Sequence, residues 1–391
     1  MTMEKERNTP SIRFKGFTDP WEQRRLGSIG STFTGLSGKS KEDFGHGDAS
    51  FVTYMNVYLN TVADLNMTEH VEIDPQQNQV RYGDVFFTTS SETPDEVGMS
   101  SVWLGNAKNV YLNSFCFGYR PQIEVNPYYF AYMLRSNTMR KKLIYLAQGI
   151  SRYNISKNKV MEIKVPLPNI EEQQRVGNYF KNLDSLITLH QRKLDQEKKL
   201  KEYLLQNMFP KEGEDVPRIR FSGFNEPWEQ RRLEEIFVFR YGDGNINPSD
   251  GGKYPVFGAG GVQGGYSQYN AEDSVIIGHM GDAGCVTWGN GKHFVTYNGT
   301  ITKPKDNAFS AKFGYYLLLH MNLKKYRGGT GLPYLTYEML NQMKTKSSTS
   351  VAETNLIAEI LSDLDHLINL HQRKLESLKE LKKGLLQKMF V

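Results

Sequence analysis

The chain has 391 residues, enough for two or more domains each with its own core. With 39% hydrophobic and 23% charged residues it is neither a disordered nor a membrane sequence, and its longest apolar run falls short of the roughly 20 residues of a membrane span. A net charge of +5 is only mildly basic, Met1–Thr9 is polar and offers no secretory signal, and Cys116 and Cys285 have no Cys or His at ligand spacing, so a cytoplasmic protein with two isolated thiols is expected.

In chain order, a short frame comes first: Pro10–Leu26 reads P-S-I-R-F-K-G-F-T-D-P-W-E-Q-R-R-L. It leads into an insert, Gly27–Pro168, that reads as mixed α/β. Strand-like runs fall at Phe51–Val57, Gly83–Thr89 and Val110–Tyr119, a helix is expected over Tyr128–Leu146, and a glycine loop follows at Gln148–Ser156. From Ile170 to Phe209 the residues Val176, Phe180, Leu183, Ile187, His190, Leu194, Glu197, Lys201, Leu204 and Met208 step alternately by four and three. That 3.5-residue rhythm predicts a long helix with a coiled-coil seam.

After a polar linker, Pro210–Val216, the frame returns: Pro217–Leu233 reads P-R-I-R-F-S-G-F-N-E-P-W-E-Q-R-R-L. A second insert, Glu234–Ser350, offers strands near Ser274–Gly278 and His293–Ile301, a helix over Phe309–Leu323 and a glycine loop at Gly328–Thr336. Val351–Val391 then repeats the heptad helix, with L-D-H-L-I-N-L-H-Q-R-K-L at Leu364 matching L-D-S-L-I-T-L-H-Q-R-K-L at Leu183. The frames are offset by 217 − 10 = 207 residues and the helices by 364 − 183 = 181, so the second insert is shorter by 26. Two near-identical frames therefore carry two dissimilar inserts. The glycine loops align with a slip of one residue against the helical repeat, a hint that the inserts share a fold.

The domains expected are 1–168 and 217–350, two globular domains each with its frame; 169–209 and 351–391, the two helices; and 210–216, the linker. The fold class is α/β (α+β), with the globular domains separated by an antiparallel coiled coil of two long helices and a pseudo-two-fold internal repeat. His190 and His371 hold equivalent seam positions. No carboxylate partner for a metal is evident beside them, so a structural role is expected.

No string carries catalysis convincingly. N-P-Y-Y at Asn126–Tyr129 lacks the second proline of an aminomethyltransferase loop, and G-A-G-G-V-Q-G at Gly258–Gly264 is followed by a turn-like sequence where a dinucleotide loop needs a helix. A phosphate loop, a zinc cluster and a nucleophile elbow are all missing from the sequence. Charge points elsewhere. Arg135–Lys164 holds eight Lys/Arg against Glu162 alone, and Lys292–Lys346 holds nine against two acids. Two matched basic zones suit two contacts with a phosphate backbone. Beside them the loops mix cations, amides, hydroxyls and aromatics able to meet base edges and phosphates. The DNA-binding candidates in the first insert are Lys39, Lys41, Tyr54, Asn56, Tyr58, Thr88, Thr89, Ser90, Ser91, Arg152, Tyr153 and Asn154. In the second they are Lys253, Tyr254, Gln263, Tyr266, Gln268, Tyr269, His279 and Tyr334.

The repeated W-E-Q-R-R-L at Trp21 and Trp228, E-E-Q-Q-R-V at Glu171, the F-x-x-L-D and H-Q-R-K-L strings behind it, and K-V-P-L-P at Lys164–Pro168 together resemble the specificity (S) subunit of type I restriction-modification systems over nearly the whole chain. The second half departs at K-T-K-S-S-T before V-A-E-T-N, without the prolines or the Glu-Gln pattern. The resemblance implies a non-catalytic reader of a split double-stranded DNA target, one half per target-recognition domain, with helices whose length sets the unread gap. It implies as partners two methyltransferase (modification) subunits using S-adenosylmethionine and two restriction subunits using ATP and Mg, with no cofactor and no metal in this chain. A self-sufficient methyltransferase with a divergent centre and a purely structural coiled-coil adaptor are the other two readings.

Overall fold

The computed structural model describes residues 9–244, 248–305, 308–329 and 331–391. The heptad segments fold into continuous helices, Ile170–Asn207 and Val351–Lys388, each of 38 residues and so about 57 Å long at ~1.5 Å per residue. Both start on a side-chain cap. Asn169 Oδ1 accepts from Glu172 N at 2.9 Å, and Ser350 Oγ accepts from Glu353 N at 3.4 Å, satisfying amides that have no partner within the helix.

The chain divides into two compact units. The part up to His190 together with Lys374–Val391 makes the first, and Gln191–Arg373 makes the second. Each unit thus takes a segment of both long helices. In the first, Asp184 meets Lys382 and Phe180 stacks on Phe390; in the second, Glu197 meets His371 and Lys201 meets Asp365. As one residue number rises its partner's falls, so the helix segments are antiparallel within each unit.

The inserts share a sheet topology that their sequences conceal. In the first unit an antiparallel sheet runs Gly30–Thr34, Cys116–Pro121, Val85–Thr88, Ser100–Val102. A three-stranded sheet of Thr68–Val71, Phe44–Val52 and Val110–Leu112 accompanies it, its last pair parallel. In the second unit one six-stranded sheet runs Phe237–Tyr241, Gly299–Pro304, Ala271–Gly278, Val286–Val295, Tyr254–Gly258, Gly261–Tyr266. Its first four strands repeat the order of the first unit's antiparallel sheet, and its one parallel pair, Tyr254–Gly258 with Val286–Val295, matches Phe44–Val52 with Val110–Leu112.

Local chemistry redraws three expected elements of the first insert, and in the second the expected strand His293–Ile301 is interrupted, one strand ending at Val295 and the next starting at Gly299. The run at Phe51–Val57 is a strand only as far as Val52, because Thr53 accepts from Asn56 N and starts the helix Tyr54–Leu59. The run at Val110–Tyr119 breaks after Leu112, where Asn113 Oδ1 accepts from Phe115 N at 2.9 Å and turns the chain. Tyr128–Leu146 is two helices, Pro127–Leu134 and Asn137–Tyr145, the second capped by Ser136. Ala311–Met321 is helical nearly as expected.

The repeated frame has one job in both units. Glu22–Arg25 pairs antiparallel with Lys164–Leu167, and Glu229–Arg232 pairs with Lys344–Ser347 in the same register, Glu22 opposite Leu167 and Glu229 opposite Ser347. Loss of the prolines therefore leaves this junction intact, since a backbone ladder does not depend on them. The frame tryptophans are buried: Trp21 packs with Tyr129 and Phe390, and Trp228 with Phe209 and Phe313. Gly177 lets the first long helix approach the start of Pro127–Leu134, where a Cβ would lie 2.5 Å from Asn126 Oδ1 and 2.7 Å from Tyr129 N. Among the described residues no helix is long and apolar enough to cross a membrane.

Candidate nucleic-acid interface

In the first unit, folding brings ten of the twelve candidates together. The glycine loop after Asn137–Tyr145 closes on itself, Gln148 N donating to Asn154 O at 2.9 Å and Asn154 N to Gln148 O at 2.8 Å. Its Tyr153–Asn154 strand then pairs with Ser90–Ser91. Tyr54 donates its hydroxyl to Ser90 O at 3.0 Å and stacks on Tyr58, whose hydroxyl reaches Glu96 at 2.6 Å. Arg152 is exposed at the loop tip beside Tyr153 and Asn154, and Thr89 holds Phe115 O at 2.7 Å. Thr88, Ser90 and Ser91 are buried, so they shape the wall rather than present their side chains. Asn56 is also buried, its amide donating to Asp64 O and Met67 O. Lys39 and Lys41 lie outside this cluster: Lys39 pairs with Asp74 at 3.0 Å, and Lys41 is exposed on the turn Lys41–Asp43. Bonds from Gln77 and Lys39 hold the Asp74 carboxyl down at about 2.

The second unit builds the same loop. Gly328 and Tyr334 exchange backbone bonds of 2.9 and 3.0 Å, Tyr334 bridges Met280, and Leu335 N donates to His279 O at 2.8 Å, just as Ile155 N donates to Thr89 O at 3.0 Å. Thr330 of this loop lies outside the described residues. The equivalences Thr89 to His279, Ser90 to Met280 and Asn154 to Tyr334 follow. His279 is buried, its Nδ1 3.0 Å from Leu335 O and its ring 4.3 Å from that of Tyr241, which also packs on Tyr297 and Tyr337. The other six candidates of this insert gather elsewhere, on and beside the hairpin Tyr254–Tyr266. Tyr254 packs on Tyr269 at 5.1 Å, Lys253 and Lys292 sit over those two rings, Tyr266 packs edge-on to Phe294, and Gln263 and Gln268 are exposed. The sequence marked Lys292 only as part of a basic zone and did not mark Glu96, Tyr241, Tyr297 or Tyr337. The one-residue slip between the glycine loops was the available signal, but without the strands they pair with it named no neighbours.

The basic zones are partly structural. Arg135 donates to the carbonyls of Ser100, Val57, Tyr58 and Asn60, and Arg140 to those of Gly98, Asp95 and Val97. Burial pushes both guanidinium groups down to about 10. Four further cations of the first zone, Lys141, Lys142, Lys159 and Lys164, line a cavity of about 570 Å3 together with Arg25 and Glu162. Among the described residues Arg25, Lys141, Lys159 and Lys164 have no ion-pair partner. A second cavity of about 350 Å3 lies against the corresponding frame strands of the other unit, with Lys211, Lys325, Lys344 and Lys346 in its wall.

A seam histidine of the long helices meets a carboxylate. His371 Nδ1 lies 2.7 Å from Glu197 Oε2, a carboxylate the sequence did not mark as its partner. Among the described residues no group of three His, Cys, Asp or Glu is placed to hold a metal ion. Burial pushes the Cys116 thiol up to about 12, so it stays protonated.

The family model for the type I restriction modification DNA specificity domain matches twice, over residues 18–198 and 225–380. A type I restriction enzyme specificity subunit of Methanocaldococcus jannaschii is 23% identical over 63% of this chain and 59% of its own length, so the match spans about three fifths of that relative. A type I specificity subunit of Mycoplasma genitalium is 23% identical over 66% of this chain and 69% of its own. The crystal structure of a type I restriction-modification system S subunit from M. genitalium shares the fold, with a TM-score of 0.69 over 98% of this chain and 99% of that one at 18% identity. Because the matched domain occurs once in each half and covers most of the sequence, the chain belongs to the type I restriction modification DNA specificity family, whose members are specificity subunits rather than catalytic ones.

Proposed function

We propose that the chain is the sequence-reading subunit of a cytoplasmic type I restriction-modification complex, each unit recognising one half of a bipartite DNA target. The observation that carries this reading is one loop-and-strand framework bearing different chemistry at matched positions: Asn154 is exposed in one unit where Tyr334 is exposed in the other, with Thr89 and Ser90 behind the first and His279 and Met280 behind the second. A shared backbone with exchanged side chains suits two readers of unlike sequences, because phosphate contacts set register while base contacts specify. Arg25, Lys141, Lys159 and Lys164, which have no ion-pair partner among the described residues, suit the phosphates.

The same reading covers assembly. Leu186, Leu189 and Leu381 are exposed in the first unit, and Leu367, Leu370 and Leu200, each 181 residues away, are exposed in the second. Two equivalent apolar sets suit two equivalent modification subunits, with restriction subunits joining them. S-adenosylmethionine, ATP and Mg belong to those partners in this reading; the chain itself takes no cofactor.

The test exchanges Gly27–Pro168 for the first insert of another family member and maps adenine methylation in cells that also carry the modification subunits. One half of the methylated motif is expected to change while the other stays. Change in both halves, or methyl transfer by the purified chain alone, would overturn the proposal.

A further inference from the structure

We infer that Glu96 reads a base in the half-site of the first unit, accepting a hydrogen bond from an exocyclic amino group, adenine N6 or cytosine N4. The inference rests on the reader function proposed above. Its ground is a comparison of one loop in the two units. Gly98 N donates to Thr88 O at 3.2 Å, and Gly284 N donates to Gly278 O at 2.9 Å. Both glycines have positive φ, +64° and +79°. Two residues before each stands an acid, Glu96 in one unit and Asp282 in the other.

The two carboxylates differ in what they face. Lys324 meets Asp282 at 2.6 Å and neutralises it. Glu96 has hydroxyls instead: Tyr58 donates to Oε1 at 2.6 Å and Ser91 donates to Oε2 at 2.9 Å. These bonds hold the carboxyl below its ordinary range, and among the described residues no Lys or Arg forms an ion pair with it. Thr93 is a third hydroxyl beside the carboxylate, and three donors leave one of its about four acceptor sites open. The carboxylate is also held in place. Tyr58 stacks on Tyr54 with ring centroids 6.2 Å apart, Arg135 ties down the carbonyls of Val57, Tyr58 and Asn60, and Ser91 pairs with Tyr153.

A fixed, ionised acceptor among DNA-reading residues has few compatible neighbours. It repels phosphate and the acceptor edges N7 and O6 of guanine, and it matches the amino donors of cytosine and adenine in the major groove. Charge that lowers general affinity for DNA is thereby turned to discrimination between bases.

The experiment maps methylation at base resolution for the full chain with its modification subunits, comparing wild type with Glu96→Gln and Glu96→Asp. Glu96→Gln is expected to relax one position of one half-site about tenfold or more, as removal of a good base contact does, with the other half unchanged. Glu96→Asp, which keeps the charge but shortens the reach, should weaken the same position less. Asp282→Asn is expected to leave base preference in the second half-site as it is. Uniformly lower methylation with every base preference retained would overturn the inference and make Glu96 only a brace for Tyr58 and Ser91. A wild-type complex that methylates no split motif would overturn the reader function itself and this inference with it.

Discussion

Trp21 donates its indole N–H to Glu172 at 3.0 Å across 151 residues of chain, and Arg13 closes on the same carboxylate with bonds of 2.6 and 2.8 Å. Glu172 is fully buried. The second unit repeats the arrangement with Arg220, Trp228 and Glu353. The frame is thus a clasp: its arginine and tryptophan converge on an acid in the first turn of a long helix. Removing the cation strands a buried charge, so Arg13→Met should destabilise the first unit by about 3–5 kcal/mol. Trp21→Phe, which removes only one of several donors, should cost less. Hydrogen exchange at the Trp228 indole should stay protected in both variants while the first unit opens; equal loosening of both units would count against a local clasp.

A second repeated contact is weaker. Asp184 takes Lys382 at 2.6 Å and the Tyr132 hydroxyl at 2.7 Å, while Asp365 takes Lys201 at 2.5 Å and the Tyr316 hydroxyl at 2.7 Å. All are partly shielded from water, so a double-mutant cycle on Asp184→Asn and Lys382→Met should give a coupling of about 1 kcal/mol. Urea unfolding of the four proteins measures it. A coupling of zero would mean that the tyrosine hydroxyl alone anchors the carboxylate.

Much of this was legible in the sequence. Heptad spacing located both long helices to within a few residues, because a 3.5-residue apolar rhythm has one structural solution at that length. The repeated frame announced two equivalent units. The clasp was not legible, since Glu172 sits in E-E-Q-Q-R-V and Glu353 in V-A-E-T-N, strings that share little but the acid itself. The candidate site was half legible. Residue type picked out Arg152, Tyr153 and Asn154, but it also picked Asn56, whose amide is spent on Asp64 and Met67 carbonyls. It counted Arg135 and Arg140 as surface charge although both are spent on backbone carbonyls. Which polar groups turn inward depends on contacts between distant segments, and spacing along one chain does not encode them.

Acid should weaken the second unit. His320 stacks on Phe209 at 5.0 Å with its Nδ1 3.0 Å from Leu205 O, and desolvation holds it below its ordinary value of 6.5. His293, bonded to Ser274 and Gly291 O, is lowered for the same reason. Below pH 6.5 the unfolded chain takes up protons that these folded imidazoles refuse. Stability from this source is therefore whole above that pH and is lost as pH falls toward the folded values. His320→Gln should flatten part of the decline in unfolding midpoint between pH 7 and 5. An unchanged slope would show that other groups carry it.

On the proposed reading, subunit assembly splits in two. Leu186→Lys with Leu189→Lys should remove one modification subunit, and Leu367→Lys with Leu370→Lys the other, since each pair is an exposed apolar patch on one unit. Native mass spectrometry of the complex reads the stoichiometry directly. Full assembly by both variants would move the docking surface away from the helices.

The cavity beside the frame strands should govern affinity without touching specificity. Asn154 and Lys159 are five residues apart, so the glycine loop and this cavity lie within about 17 Å along the chain, on the order of five base pairs of duplex. Lys141→Ala with Lys159→Ala, two cations with no ion-pair partner among the described residues, should shallow the slope of log affinity against log salt by about 0.9 for each phosphate that is no longer neutralised. The methylated motif should keep every base. Arg140→Ala is the contrast: its guanidinium is bound to the Gly98, Asp95 and Val97 carbonyls, so it should lower stability and leave the salt slope alone. If the double lysine variant kept the full slope, the phosphates would have to be met by other cations, and this cavity would be no part of the DNA path.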